Sequence, residues 1–140
     1  MFALQLTAVA LAGLAVHEGT HYVACRLAGA SARPTVSWGR YLPNPAINTD
    51  LQAHSVLTYR LATLAPLVVF VPSVAIGVSQ GAFIEHAGSD ASLLWVMWCL
   101  ATMPSPSDWE QAAYAGDLRD YHRAWNGPHP THAAAEGIAV

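Results

Sequence analysis

The chain contains no lysine and few charged residues of any kind. Charged side chains make up 11% of its 140 residues, whereas soluble domains average about 25%. All six basic residues are arginines, and we draw no functional conclusion from that bias. Because apolar residues reach 54%, the shortage of charge predicts a single-domain polytopic membrane protein. The net charge of −3 gives a nucleic-acid partner no electrostatic basis.

Cysteine is scarce as well. Cys25 and Cys99 both lie in apolar runs, so the sequence gives no indication of a disulfide framework. Cys25 follows His21 by four residues and His17 by eight, which places all three on one helical face. Its thiol is a candidate soft metal ligand, although a buried core thiol is the simpler interpretation. No basic segment precedes the first apolar run, which predicts a retained helix and not a cleaved signal peptide.

Three apolar runs predict an all-α membrane protein with a core of three transmembrane helices. The first run, Phe2 to Ala30, exceeds the roughly 20 residues that cross a hydrocarbon core. The second, Ser55 to Ile84, contains Pro66 and Pro72, which should bend or loosen its helix. The third, Ser92 to Met103, is too short to span the membrane alone as an ideal helix.

The segment between the first two runs, Ser31 to His54, is rich in turn-forming residues. Within it, Thr35 to Trp38 alternates polar and apolar residues, which is typical of a short strand. We expect a short hairpin or an irregular loop near the membrane surface, whose free edge could accept an extended peptide. A plain connecting loop is the alternative.

The C-terminal part of the chain changes character again. From Trp109 to Trp125 the pattern is amphipathic and helical, which predicts an interfacial helix. Beyond Trp125, proline, histidine and alanine dominate the sequence. We therefore divide the chain into a membrane-embedded domain, residues 1–124, and a disordered tail, residues 125–140.

The first apolar run contains the sequence His17-Glu18-Gly19-Thr20-His21, which reads H-E-x-x-H. Residues four apart share one face of a helix at about 6 Å, so the two imidazoles can hold one zinc ion. Glu18 can then act as a general base on a zinc-bound water. Such motifs recur by chance in soluble helices. In a membrane helix, however, each charge costs roughly 3 kcal/mol, so a metal explains the cluster better.

A catalytic zinc usually takes three protein ligands, and Asp108 is predicted to supply the third. With three spans the first and third run in the same direction, and both His17 and Asp108 lie roughly 23 Å along them. Prolines just before Asp108 break the helix and let its side chain turn inward. The alternatives are that Asp108 only caps an interfacial helix, or that Glu110 or His122 is the ligand.

The distribution of arginine indicates an orientation. Arginines follow the first and third runs, whereas the turn at residues 81–90 has acidic residues and no basic one. The positive-inside rule places this turn outside the cell and the C-terminus in the cytoplasm. We expect an integral protein of the cell membrane, with its metal toward the cytoplasmic half.

Together these motifs resemble the site-2-protease-type intramembrane zinc metalloproteases, and more closely the small membrane-bound zincin peptidases. The matching residues are the H-E-x-x-H motif, Trp38-Gly39, Ala65-Pro66 and Pro104 to Asp108. The resemblance implies a three-helix core that holds zinc within the membrane and cleaves peptide bonds in or near membrane segments. By position, it makes His17, His21 and Asp108 the ligands and Glu18 the base. Around the aspartate, Ser-Asp-Trp replaces the usual Leu-Asp-Gly.

The sequence therefore predicts a zinc peptidase acting on a membrane protein or peptide, with Ser105, Ser107 or backbone N–H groups stabilising the oxyanion. A non-catalytic zinc protein, either a pseudoprotease or a subunit of a larger membrane assembly, is the first alternative. The second is a transporter or proton relay that uses the same ionisable cluster. A homo-oligomer or a partner subunit would suit so small a chain. Nitrogen and oxygen ligands favour zinc over iron or cobalt.

Overall fold

The computed structural model of the chain describes residues 1–38, 43–49, 54–117 and 120. This part is mostly helical, as the sequence predicts. In chain order the elements are α1 (Phe2–Leu27), β1 (Ala32–Trp38), β2 (Pro43–Thr49), α2 (Val56–Thr63), α3 (Leu67–Ser79), α4 (Asp90–Thr102) and α5 (Pro106–Ala113). The predicted disordered tail, residues 125–140, and the rival ligand His122 lie outside the described residues.

Helix α1 is 26 residues of mainly alanine, leucine and valine without proline. Its end is set by Gly29, whose φ of +78° lies in the left-handed region that a glycine adopts without strain. There the N–H of Ala30 donates to the carbonyl of Cys25, and the N–H of Gly29 donates to that of Arg26. This pair of bonds is a Schellman motif, which satisfies the last carbonyls of the helix.

The lengths of the helices bear on the predicted membrane core. Among the described residues, α1 is long and apolar enough to cross a membrane. Helices α2 and α3 meet the same test together, but they are bent by 41° at the break between Thr63 and Leu67. Helix α4 has 13 residues. One described helix, or two if the bent pair is one span, therefore has the length and composition of a membrane span.

The segment after α1 is a hairpin and not a plain loop. Strands β1 and β2 pair antiparallel, in a register that runs from Ala32 opposite Thr49 to Trp38 opposite Pro43. Proline removes a ladder hydrogen bond, yet it is tolerated in β2 because both strands of a two-stranded sheet are edges.

Helix α5 begins earlier than predicted. The sequence pattern placed the start of the C-terminal helix at Trp109, whereas the helix begins at Pro106 with Ser105 as its N-cap. Proline suits the first turn of a helix because its missing N–H would be unpaired there anyway. The correction places Asp108 inside the first turn of α5.

Close packing of α1 against α4 fixes the position of the H-E-x-x-H motif relative to α4. Gly13, one turn before His17, allows this approach, since a Cβ at Gly13 would lie 2.6 Å from the Cβ of Ala101. Small residues permit such contacts between apolar helices.

Helix α2 holds α5. The Arg60 Nε–H donates to the carbonyl of Ala112 at 2.9 Å, and the Tyr59 hydroxyl donates to Oε1 of Gln111 at 3.3 Å. These contacts join the middle of the chain to the helix that carries Asp108.

Candidate metal centre

Helix α1 presents His17 and His21 on one face, as their spacing predicts. The ring centroids are 4.9 Å apart and the planes lie edge to face. Their Nε2 atoms are 3.2 Å apart. The two imidazoles therefore direct the same nitrogen toward a common point.

Helix α5 brings Asp108 to that point. Its Oδ2 lies 3.3 Å from Nε2 of His17, and its Oδ1 lies 3.3 Å from Nε2 of His21. The three side chains, which we call the metal group, come from opposite ends of the sequence. They include both residues of the motif and the distant carboxylate that the sequence analysis paired with it.

A capping box orients Asp108. The backbone N–H of Ser105 donates to Oδ2 at 2.7 Å, and the Ser105 hydroxyl donates to the same oxygen at 2.8 Å. In return, the N–H of Asp108 donates to Oγ of Ser105 at 3.2 Å. From the sequence, Asp108 could either cap α5 or face the histidines. In the structure it does both.

The spacing of the donor atoms fits a metal ion. All three ligand atoms lie within 4.8 Å of one another, and the contacts between the residues are 3.2–3.3 Å. A tetrahedral ion with bonds of about 2.1 Å separates its ligand atoms by about 3.4 Å. His17, His21 and Asp108 could therefore hold a metal ion with little rearrangement.

The two histidines differ in what their other nitrogen contacts. Nδ1 of His21 lies 2.9 Å from the carbonyl oxygen of Ala62 in α2, so it must carry the hydrogen. In the neutral ring this leaves the Nε2 lone pair facing the metal group, as metal-binding histidines require. Nδ1 of His17 is buried and has no hydrogen-bond partner within the described part of the chain.

The electrostatics of the group call for a positive charge. His17 and Asp108 are only 6% and 8% exposed. Burial by itself would raise the pKa of Asp108, but hydrogen bonds from His17 and His21, which require a hydrogen on Nε2, and from Ser105 outweigh it and hold that pKa well below its usual range. The group therefore favours a carboxylate whose charge is compensated by a proton on a histidine Nε2 or by a metal ion in its place.

A cavity of about 690 Å³ opens beside the metal group. Glu18 lines it together with the three group members. Cavities of this size are typical of sites that bind small molecules or short peptide segments. Tyr59 and Gln111 form part of the wall, which the sequence gave no reason to expect.

The remaining candidates from the sequence are two serines, a cysteine and a glutamate. Ser105 and Ser107 line the cavity, and their hydroxyl oxygens are 2.7 Å apart. Since the Ser105 hydroxyl donates to Asp108, that of Ser107 donates to Ser105. A role for these serines toward an oxyanion stays a prediction. Cys25 is buried and lines the cavity without joining the metal group, and Glu110 is exposed.

Sequence reasoning missed the Ala62 carbonyl. No side-chain type reveals that a backbone oxygen contacts a histidine ring from another helix.

Comparison of the chain with protein-family models, with curated proteins and with solved structures finds no match.

Proposed function

We propose that the protein is a zinc-dependent intramembrane peptidase of the site-2-protease type, which hydrolyses peptide bonds in or near membrane segments. The observation that carries the proposal is the convergence of His17, His21 and Asp108 beside a cavity that Glu18 also lines. Two neutral nitrogens and one carboxylate form a donor set that suits zinc and leaves a position open.

The surface of the chain supports a membrane setting. Only 11% of the most apolar stretch of α1 is buried, whereas the core helix of a soluble protein is mostly covered. Large apolar side chains are exposed on other helices too, among them Leu57, Leu61, Val68, Ile76 and Leu100. A lipid bilayer would cover these groups at no cost. We propose three spans, α1, the bent pair α2–α3, and α4, in the cell membrane with a cytoplasmic C-terminus.

The residues divide the work of hydrolysis. Nε2 of His17, Nε2 of His21 and the Asp108 carboxylate would hold the zinc ion, and Ser105 orients that carboxylate. Zinc, when bound, supplies a Lewis acid that makes water a stronger acid near neutral pH. The Glu18 carboxylate takes a proton from the attacking water and later donates it to the nitrogen of the leaving amine.

The closing experiment compares Glu18→Gln with Glu85→Gln in detergent-purified protein. Both substitutions replace a carboxylate by an amide, but Glu85 lies in the exposed turn between α3 and α4. Zinc content is measured by mass spectrometry, and cleavage is measured on reporter proteins with one membrane segment containing proline or glycine.

We expect about one zinc ion per chain in all three proteins. Cleavage should fall about 10²- to 10⁴-fold in Glu18→Gln alone, which is the usual contribution of a general base. Unchanged cleavage in that variant would refute the assigned base. Zinc without any cleavage by the natural protein would favour a pseudoprotease or an assembly subunit, and absence of zinc would remove the proposal altogether.

A further inference from the structure

The contact between His21 and Ala62 joins two helices through a backbone oxygen. In a continuous α-helix each carbonyl accepts from the N–H four residues later. The Ala62 oxygen instead lies 2.9 Å from Nδ1 of His21 in α1. The same oxygen accepts a long backbone bond from the N–H of Ala65, three residues later, at 3.4 Å. The usual bond from the N–H four residues later is absent.

The residue four positions after Ala62 is Pro66, which has no N–H. The backbone of Pro66 is helical, with φ −57° and ψ −22°. In a continuous helix, an N–H at this position would donate to the Ala62 carbonyl. Helix α2 ends at Thr63 and α3 begins at Leu67, and the 41° bend lies between them.

We propose that Pro66 is a positioning residue for the metal group, because it removes the i+4 donor that would compete with His21 for the Ala62 carbonyl. The hydrogen bond fixes the hydrogen of His21 on Nδ1 and turns the Nε2 lone pair toward His17 and Asp108. This proposal rests on the metal site of the proposed function. It adds to that site a residue between α2 and α3, Pro66, that orients His21.

Burial strengthens the argument. Pro66 is fully buried and Ala62 is only 2% exposed, so water has little access to the Ala62 carbonyl. Because the backbone bond from Ala65 is long, the shorter contact with His21 is the stronger of the two that this carbonyl makes in its apolar setting. Within the described part of the chain, Nδ1 of His17 has no such partner. Of the two histidine rings, His21 is therefore the one whose orientation is set by a hydrogen bond to the backbone.

The test restores the missing N–H. Pro66→Ala and Pro66→Val both do so, but alanine leaves a small void where valine fills the space of the ring. The matched control is Pro72→Ala, which restores an N–H in the same bent segment at an exposed position. Two quantities are measured in detergent: zinc affinity by competition with a chelator, and the ¹⁵N shifts of the His21 ring in metal-free protein.

We expect zinc affinity to fall about tenfold or more in both Pro66 variants, within the range for partners of metal-binding histidines. The ¹⁵N spectrum of His21 should change from a single Nδ1–H tautomer to a mixture of tautomers. Neither quantity should change in Pro72→Ala.

Three results would overturn the proposal: an unchanged His21 tautomer, a loss of affinity in the alanine variant alone, or loss of helical structure in both Pro66 variants. The first would show that His21 does not depend on Pro66, the second would indicate packing, and the third a purely structural role. The tautomer is read without metal. A natural protein that binds no zinc would therefore refute the proposed function while leaving the effect of Pro66 on His21 measurable.

Discussion

Two interfaces between helices in this protein bury polar groups in opposite ways. Between α3 and α4, the indole N–H of Trp95 donates to the carbonyl of Ser73 at 3.1 Å. The indole N–H of Trp98 donates to the Ser73 hydroxyl at 3.0 Å. Both indole donors there meet an acceptor. Between α1 and α5, by contrast, Nε2 of the neutral His21 ring and the Asp108 carboxylate are acceptors that face each other, and Nδ1 of His17 has no partner within the described part of the chain.

The difference separates structural from functional polarity. The tryptophan–serine contacts are complete without any further component, so they contribute about 1 kcal/mol each to packing. The metal group is complete only with a cation, because buried lone pairs repel one another in a medium of low dielectric constant. We therefore interpret the α3–α4 contacts as structural and the α1–α5 contacts as a candidate binding site for a cation.

The largest expected effect comes from removing a member of the metal group. Asp108→Ala should weaken zinc binding by more than about 100-fold, beyond the usual effect of outer partners. Asp117→Ala, at an exposed position near the end of the described helices, is the matched control. Metal analysis after dialysis gives the measurement, and equal zinc in the two variants would contradict the assignment.

A smaller effect is expected where α1 meets α4. Gly13→Ala places a Cβ 2.6 Å from that of Ala101, so the helices must separate. Such overpacking costs about 1–3 kcal/mol. Gly19→Ala in the same helix has nothing within 4 Å of the new Cβ and should not lower stability. Thermal unfolding in detergent compares the two, and equal melting temperatures would show that the close contact does not fix α1.

The N-caps offer a test that separates capping from ligand orientation. Ser105→Ala and Ser89→Ala each remove the hydroxyl that caps a helix, α5 and α4 respectively. Each should lose about 1 kcal/mol of stability. Only Ser105→Ala should also lower zinc affinity, by about tenfold, because Ser105 alone of the two donates to Asp108. A similar loss of zinc in both would mean that general loosening, and not orientation, is responsible.

The smallest effect is expected at the interface of α3 with α4, where the indole donors already have acceptors. Ser73→Ala leaves the indole N–H of Trp98 without its partner and should cost about 1 kcal/mol or slightly more. Zinc affinity should not change, since Ser73 and Trp98 do not line the cavity. Chelator competition and thermal unfolding provide both readings. A drop in zinc affinity would show that the two interfaces are coupled.

Much of the site could be predicted because local spacing determines it. Residues four apart on a helix must face the same way, which places His17 and His21 together without reference to the rest of the fold. Asp108 was selected by a match in depth that assumes three spans, and the structure places its carboxylate 3.3 Å from both histidines. The early start of α5 had a signal in Ser105-Pro106, an N-cap followed by proline, which apolar periodicity does not detect.

Other features could not be predicted from residue types. The contact of Ala62 with His21 depends on the relative placement of α1 and α2. Periodicity in a single segment carries no information about such placement. The break between Thr63 and Leu67 divides the second apolar run into two short helices, and proline alone indicates a bend without giving its angle.

Helix α2 has only eight residues, yet it is attached to both ligand-bearing helices, through Ala62 to α1 and through Tyr59 and Arg60 to α5. Membranes of different thickness make embedded helices tilt. A tilt of α2 would act on its contacts with α1 and α5 at the same time. In the proposed membrane setting, the distance between His21 and Asp108 should consequently change little with the thickness of the bilayer.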